Sequence, residues 1–141
     1  MNFRADRDPA WFNAASKGHL PEHLGIEIVE AGPGRALARL DVRPHHLAPN
    51  GYLHAGTLVT LADTAAGYAC LAHLPEDATG FTTIELKTNF AGTALEGTVE
   101  CEATAAHLGG TTQVWDAVCR RPGEAKALAL FRCTQLVLRA R

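Results

Sequence analysis

Residues 47–73 read LAPNGYLHAGTLVTLADTAAGYACLAH and decide the fold. Between Ala55 and Leu71 the only charged side chain is Asp63, and small and apolar residues occupy every helical face around it. A helix that is apolar on all sides is a buried helix. The stretch therefore predicts one long helix at the centre of the molecule.

Asp63 is the anomaly within this helix. Burial of an ionised carboxylate without polar partners costs several kcal/mol or raises the pKa of the group. A lone aspartate in such surroundings therefore needs either a hydrogen-bond partner or a chemical role. From the residues alone both interpretations stay open, a buried hydrogen-bond hub or a catalytic carboxylate.

Segments with a period of two flank the helix and predict strands. Two strands are predicted before the helix and four after it, at residues 24–30, 35–42, 81–90, 96–104, 111–120 and 126–138. Within residues 81–90 one face is predicted to carry the even-numbered side chains, Thr82, Ile84, Leu86, Thr88 and Phe90. A short helix is predicted from Pro9 to Lys17.

This order of elements predicts an α+β fold in which about six antiparallel strands wrap around one long central helix. A chain of 141 residues has the length of one domain. Residues 1–141 are therefore predicted to form a single domain, with residues 1–23 as an N-terminal extension that carries the short helix. An open sheet leaves its edge strands exposed, so pairing with a second copy of the chain is expected.

Composition and charge argue against several classes of function. The formal net charge is -2 and the basic residues are scattered, so no nucleic-acid partner is expected. The four cysteines stand singly, without a CxxC pair, and are predicted to be reduced core residues. No apolar run reaches the roughly 20 residues of a membrane span. Charged residues near the N-terminus lie where a signal peptide would need an uninterrupted apolar segment, so none is expected. A cytoplasmic protein with no membrane partner is expected.

The adjacent histidines His45 and His46 raise the question of a metal site. No Asp, Glu or Cys follows them at ligand spacing, so they are predicted to be a solvated loop pair. No metal and no redox cofactor are expected.

The run Asn50-Gly-Tyr-Leu-His54-Ala-Gly56, followed by Leu61-Ala-Asp63-Thr64-Ala65, carries a resemblance. It is similar to the signature of hotdog-fold acyl-CoA thioesterases, in the PaaI-like branch of the 4-hydroxybenzoyl-CoA thioesterase superfamily. That signature is Asn, Gly, His-Gly-Gly and then an Asp one helical segment later. The likeness extends over residues 24–138, because the order of strands and helix also matches. It implies hydrolysis of an acyl-CoA thioester, with no cofactor other than the CoA of the substrate.

The resemblance also implies roles for individual residues. Asp63 matches the catalytic carboxylate, which activates a water or attacks the thioester carbonyl directly. The N–H of Ala55 matches the group that polarises this carbonyl. The N–H groups of Ala55 and Gly56 are both expected to be unpaired at the helix start, where they supply a fixed dipole. Thr83 matches a hydroxyl that positions water or the acyl group. The other substrate-binding candidates are His54, Asn50 and Thr64.

Several of these residues also have a purely structural interpretation. Asn50 lies in a Pro-Asn-Gly turn sequence and is equally well explained as a turn residue. His54 is predicted to orient the loop through a hydrogen bond of its ring rather than to transfer protons. Thr83 is also an ordinary strand residue. The chain departs from the signature at Ala48, where relatives have the Asn, and at Ala55, where they have the first Gly.

The spacing of Asp63 and Ala55 predicts an oligomer. The two residues are eight positions apart, or about 12 Å along a helix. One helix cannot place both groups on one carbonyl. If the helices of two subunits run antiparallel side by side, the start of one meets the middle of the other. A homodimer or homotetramer with shared sites is therefore predicted, as the resemblance also implies.

Two other functions compete with thioester hydrolysis. One is a non-catalytic acyl-CoA binding or scaffolding module of the same fold. The other is a hotdog hydratase, which is less favoured because such enzymes pair an Asp with a His a few residues later. The first His after Asp63 in this chain is His73.

Overall fold

The computed structural model describes residues 2–141, so the predicted domain is described except for Met1. One antiparallel sheet of six strands packs against one long helix. The strands are β1 (Glu27–Gly32), β2 (Arg35–Asp41), β3 (Ala78–Phe90), β4 (Thr98–Leu108), β5 (Thr112–Arg120) and β6 (Ala127–Arg139). The helices are α1 (Pro9–Ala15), α2 (Leu20–His23) and α3 (Ala55–Ala72), and a 3-10 turn covers Pro44–His46. The predicted order of two strands, central helix and four strands is confirmed.

The strands are arranged in the order β1-β2-β4-β5-β6-β3, so β1 and β3 form the two edges of the sheet. Helix α3 contacts every strand of this sheet. Leu58, Leu61 and Ala65 of the helix are buried against residues such as Leu40 and Trp115 of the strands. The prediction of a buried central helix is confirmed, and small side chains along it let the sheet approach.

Gly67 sets the distance between α3 and the edge strand β3. A Cβ at this position would lie 3.1 Å from the Phe81 ring. The absence of a side chain therefore lets Phe81 pack directly on the helix, one turn beyond Asp63. This contact places the following residues of β3 beside the carboxylate.

A β-bulge interrupts β3. Thr83 lies opposite Gln135 of β6, and Leu86 lies opposite Cys133, so the extra residue falls near Ile84. Residues directly opposite in a sheet share a face, and an inserted residue reverses the faces that follow. Thr83 and Leu86 therefore lie on the same face, toward the helix. The prediction that the even-numbered residues of 81–90 share one face is wrong, because the bulge near Ile84 reverses the alternation of faces that follows it.

The N-terminal segment packs on the central helix. The Asp8 side chain caps α1 by accepting a hydrogen bond from the Trp11 N–H at 2.8 Å, and Pro9 occupies the first turn. Phe12 is fully buried, and its ring stacks on Tyr68 of α3 at 4.7 Å between centroids. The extension thus closes part of the core.

The predicted solvated pair of histidines is wrong for His46, although His45 is exposed. His46 is buried, its Nδ1 accepts from the Arg43 N–H at 2.9 Å, and its Nε2 lies 2.8 Å from the Leu24 carbonyl oxygen. Burial lowers the pKa of this imidazole. The 3-10 turn, which the sequence did not predict, directs the ring inward.

All four cysteines are buried and free, as predicted. Among the described residues no helix has the length and apolar character needed to cross a lipid bilayer.

Candidate active site

Asp63 lies in the middle of α3 and faces the edge strand β3. The side chain is half-buried, and its Oδ1 is 3.4 Å from the Thr83 hydroxyl oxygen. Burial raises the pKa of the Asp63 carboxyl, and the Thr83 hydroxyl opposes this shift. A carboxylate with a raised pKa is a stronger base at neutral pH than a solvated one.

The surroundings of Asp63 carry little charge. Cys133 of β6 is the titratable neighbour, and its burial together with the Asp63 charge raises the pKa of the thiol to about 12. This thiol is therefore neutral at physiological pH. No charged side chain in residues 2–141 shifts the pKa of Asp63. The Asp63 carboxylate thus lies in surroundings of little charge, with the Thr83 hydroxyl beside it.

The start of α3 is exposed, and its first N–H groups differ in their partners. The His54 ring caps the helix, because its Nδ1 accepts from the Gly56 N–H at 2.8 Å. The predicted orienting hydrogen bond of His54 is confirmed. The expectation that the Gly56 N–H is unpaired is wrong, since this N–H donates to His54 Nδ1. The Ala55 N–H has no acceptor among the described residues and lies at the positive end of the helix dipole.

The loop before α3 is held by a side-chain turn. The Asn50 side-chain oxygen accepts from the Tyr52 N–H at 3.1 Å, and Gly51 adopts a positive φ of 87°. The structural role that the sequence suggested for Asn50 is therefore present. Contact of Asn50 with a substrate stays a prediction.

Thr64 follows Asp63 directly, so its side chain lies about 100° further round the helix. It is buried at 9% exposure, away from the exposed helix start. The structure does not bring Thr64 together with Ala55 or His54, and its contact with a substrate stays a prediction.

Gln135 is not among the candidate residues predicted from the sequence. This fully buried residue of β6 accepts a hydrogen bond from the Thr83 hydroxyl through its Oε1 at 2.7 Å, and its Nε2 lies 3.3 Å from the Cys133 Sγ. A signal for it exists in the sequence, because Phe131, Cys133, Gln135 and Val137 alternate with exposed or partly exposed residues. A glutamine at an inward position of an otherwise apolar strand face requires a polar partner.

His73 does not share the site with Asp63. Its Nε2 accepts from the Gly34 N–H at 2.8 Å, and its Nδ1 lies 2.7 Å from the Ala69 carbonyl oxygen. Both ring nitrogens are thus occupied at the far end of α3. The Asp and His pair of a hydratase is not formed by these two residues.

Comparison with known proteins identifies the family. Residues 50–127 match the model of the thioesterase superfamily, which is more than half of the chain. The chain belongs to the thioesterase superfamily. The matched segment contains the helix with Asp63, and it extends over β3, β4 and β5.

Individual thioesterase relatives cover nearly the whole chain. A 1,4-dihydroxy-2-naphthoyl-CoA hydrolase of Listeria monocytogenes is 36% identical over 122 residues, 86% of this chain and 98% of the relative. The acyl-coenzyme A thioesterase PaaI of Escherichia coli is 34% identical over 127 residues, 87% of each chain. Both are named as hydrolases of CoA thioesters.

Solved thioesterase structures show the same fold. A mutant of thioesterase PA1618 from Pseudomonas aeruginosa matches with a TM-score of 0.91 at 27% identity, covering 99% of this chain and 100% of the other. The PaaI protein of Escherichia coli matches with a TM-score of 0.79 at 28% identity, covering 92% and 94%. The hotdog fold and the PaaI-like branch, both suggested by the signature, are confirmed, and the protein is a thioester hydrolase.

Proposed function

We propose that this thioesterase hydrolyses an acyl-CoA thioester to the free acid and CoA at a site shared between two subunits. Asp63 of one subunit supplies the base, and the Ala55 N–H of the other polarises the carbonyl. One observation carries the proposal. A half-buried carboxylate faces an edge strand, while the unpaired N–H that it needs lies about 12 Å away on its own helix.

The substrate class follows from the thioesterase relatives. The two named hydrolases both act on CoA thioesters, one with an aromatic acyl group. The CoA in this proposal is part of the substrate, and the chemistry needs no metal and no other cofactor. Aromatic and aliphatic acyl-CoA compounds are both to be tested, because the name of the second relative does not specify the acyl group.

The reaction needs few groups, because a thiolate is a good leaving group. Asp63 removes a proton from a water, whose oxygen attacks the thioester carbonyl. The negative charge on the carbonyl oxygen is stabilised by the partner's Ala55 N–H at the positive end of α3. When the C–S bond breaks, the proton on Asp63 passes to the CoA thiolate. The carboxylate is then restored.

The exposed side chains of β3 support a dimer. Ile84, Leu86 and Phe90 expose 56%, 41% and 47% of their surfaces on an unpaired edge strand. Such an edge is a template for another strand. A two-fold axis normal to the sheet pairs β3 with its copy antiparallel, and it makes the two α3 helices antiparallel as well. The homodimer is then the smallest unit with complete sites, and a homotetramer is a pair of such dimers.

Free-thiol release from a panel of acyl-CoA compounds tests the proposal. Asp63→Asn keeps the shape of the side chain but removes the base, so kcat is expected to fall at least about 100-fold. Asp41→Asn is the matched control, because within residues 2–141 this exposed carboxylate on β2 accepts a hydrogen bond only from Thr98 and is expected to be dispensable. Circular dichroism and gel filtration check that both variants are folded.

Two results would contradict the proposal. Equal rates for the native chain and Asp63→Asn would remove the proposed role of Asp63. Tight binding of the acyl-CoA compounds without release of thiol from any of them would favour the non-catalytic module.

A further inference from the structure

Gln135 connects to the site through Thr83. Its side chain is fully buried, and the 2.7 Å contact of its Oε1 with the Thr83 hydroxyl is shorter than the 3.4 Å from that hydroxyl to Asp63. A carboxamide is costly to bury unless its polar atoms are bonded. The second end of the amide faces the Cys133 sulfur at 3.3 Å. Gln135 is thus held in place on both sides.

The Thr83 hydroxyl has one proton and two acceptors within reach. Hydrogen bonds between oxygens have their optimum near 2.7–2.8 Å, and 3.4 Å lies outside the usual range. The proton therefore points at Gln135. The lone pairs of the Thr83 oxygen are then free on the side of Asp63.

We propose that Gln135 is a positioning residue. By accepting the hydrogen bond of the Thr83 hydroxyl, it leaves the Thr83 oxygen as an acceptor for the hydrolytic water. The inference rests on the proposed function, because it assigns the second anchor of the water that Asp63 activates. One O–H of this water points at Asp63 and the other at the Thr83 oxygen. With both O–H groups directed, a lone pair of the water oxygen is aimed at the thioester carbonyl.

Removal of the Gln135 side-chain amide is expected to change the pKa of the Asp63 carboxyl as well. Thr83 would then turn its proton toward Asp63, and the contact that is 3.4 Å long in the native chain would become a full hydrogen bond, which stabilises the ionised form and lowers the pKa of Asp63 further. The titratable groups near the pair are Cys133 on β6 and Glu85 on β3. Burial raises the pKa of the Cys133 thiol to about 12, so this thiol stays neutral over the range of the assay. Cys70 on α3 also has a pKa of about 12. All three residues stay unchanged in the variants below.

Gln135→Met is the first test, because methionine has a similar length and no acceptor oxygen. The expected result is a fall in kcat of about tenfold, with KM within about twofold of native. The acid limb of the kcat profile is expected to move to lower pH. A role in packing alone would lower stability without moving this limb.

Gln113→Met is the matched control. Gln113 lies directly opposite Gln135 on β5 and is also buried, but it bonds the His73 carbonyl and the Trp115 ring. Its replacement is expected to lower the free energy of unfolding and to leave the acid limb where it is. If Gln135→Met does not fold, Gln135→Asn keeps an amide whose shorter side chain does not reach Thr83, and the same shift is expected.

The double variant Gln135→Met with Thr83→Val is expected to have the kcat of Thr83→Val alone, since both changes act through one hydroxyl. An acid limb that stays in place or moves to higher pH in the Gln135 variants would overturn the inference. Asp63→Asn separates this failure from that of the proposed function. If Asp63→Asn loses turnover while the Gln135 variants keep the native limb, only the role of Gln135 is refuted. If Asp63→Asn keeps full turnover, the proposed function itself is refuted.

Discussion

At the residue scale, the proposed chemistry depends on a single unpaired donor. Gly56 donates its N–H to His54 Nδ1 and Thr57 donates its N–H to the His54 carbonyl, so among the described residues Ala55 is left with the free N–H of the first turn of α3. The capping bond fixes the first turn and thereby the direction of the Ala55 N–H. We therefore expect His54 to act on the proposed site through the backbone rather than by proton transfer.

Ala55→Pro removes this donor with little change to the helix. Proline suits the first helical turn, and His54 already has the extended ψ of 135° that a residue before proline adopts. Loss of one oxyanion donor is expected to lower kcat by about 100-fold to 1000-fold. Ala55→Gly is the control, because it keeps the N–H and is expected to retain most of the activity. Native turnover in the proline variant would exclude Ala55 as the donor.

The sequence revealed some of these residues and not others. Asp63 stands out because a carboxylate within an apolar helix violates a local pattern. Gln135 lies 52 residues from Thr83, so their contact depends on how β3 and β6 pair. Whether the Gly56 N–H donates to the His54 ring depends on the rotamer of that ring, which residue spacing does not determine.

At the element scale, α3 is tied to the sheet at its C-terminal end by His73. The Gly34 N–H in the turn between β1 and β2 donates to Nε2, and Nδ1 donates to the Ala69 carbonyl. This arrangement requires the neutral ring with its proton on Nδ1. Burial lowers the pKa of His73 despite the bond to Ala69.

The lowered pKa predicts loss of stability in acid. The unfolded chain binds a proton at the ordinary histidine pKa of about 6.5, whereas the folded chain resists it. Stability is therefore expected to fall as the pH drops through about 6.5 toward the lower pKa of the folded state. His46, whose pKa burial also lowers, is expected to act in the same direction.

Urea unfolding of His73→Gln between pH 5 and 8 measures this effect, the range being set by the pKa of about 6.5. The variant is expected to be less stable at pH 8 by about 1 kcal/mol, since it weakens a buried hydrogen bond. Its stability is expected to depend less on pH than that of the native chain. His23→Gln is the control, because His23 is exposed on α2. A native pH dependence in His73→Gln would exclude His73 as a source of the acid effect.

The order of elements was predictable because hydrophobic periodicity is a local property. The helix and all six strands appear in the predicted order, although the bounds shift by up to several residues, as at β1 (Glu27–Gly32). The bulge of β3 was not predictable, because it exists only relative to β6. Helix α2 and the 3-10 turn are too short for a periodic signal.

At the scale of the whole molecule, the proposed function requires one copy of the chain to supply halves of two different sites. Asp63 faces β3, and the free Ala55 N–H lies about 12 Å away along α3. The spacing alone predicts a second copy, since helix rise is constant, and this stays a prediction. The edge proposed to pair with that copy was not predictable, because the strand order β1-β2-β4-β5-β6-β3 is a property of the assembled sheet.

Complementation between two inactive variants tests the shared site most directly. Asp63→Asn and Ala55→Pro chains are coexpressed with different affinity tags, and the mixed dimer is isolated by purification on both tags in turn. In the mixed dimer one site has both defects and the other has neither, so thiol release at about half the native rate is expected. A mixed dimer no more active than the two parent variants, or a native chain that is active as a monomer, would contradict a site shared between subunits.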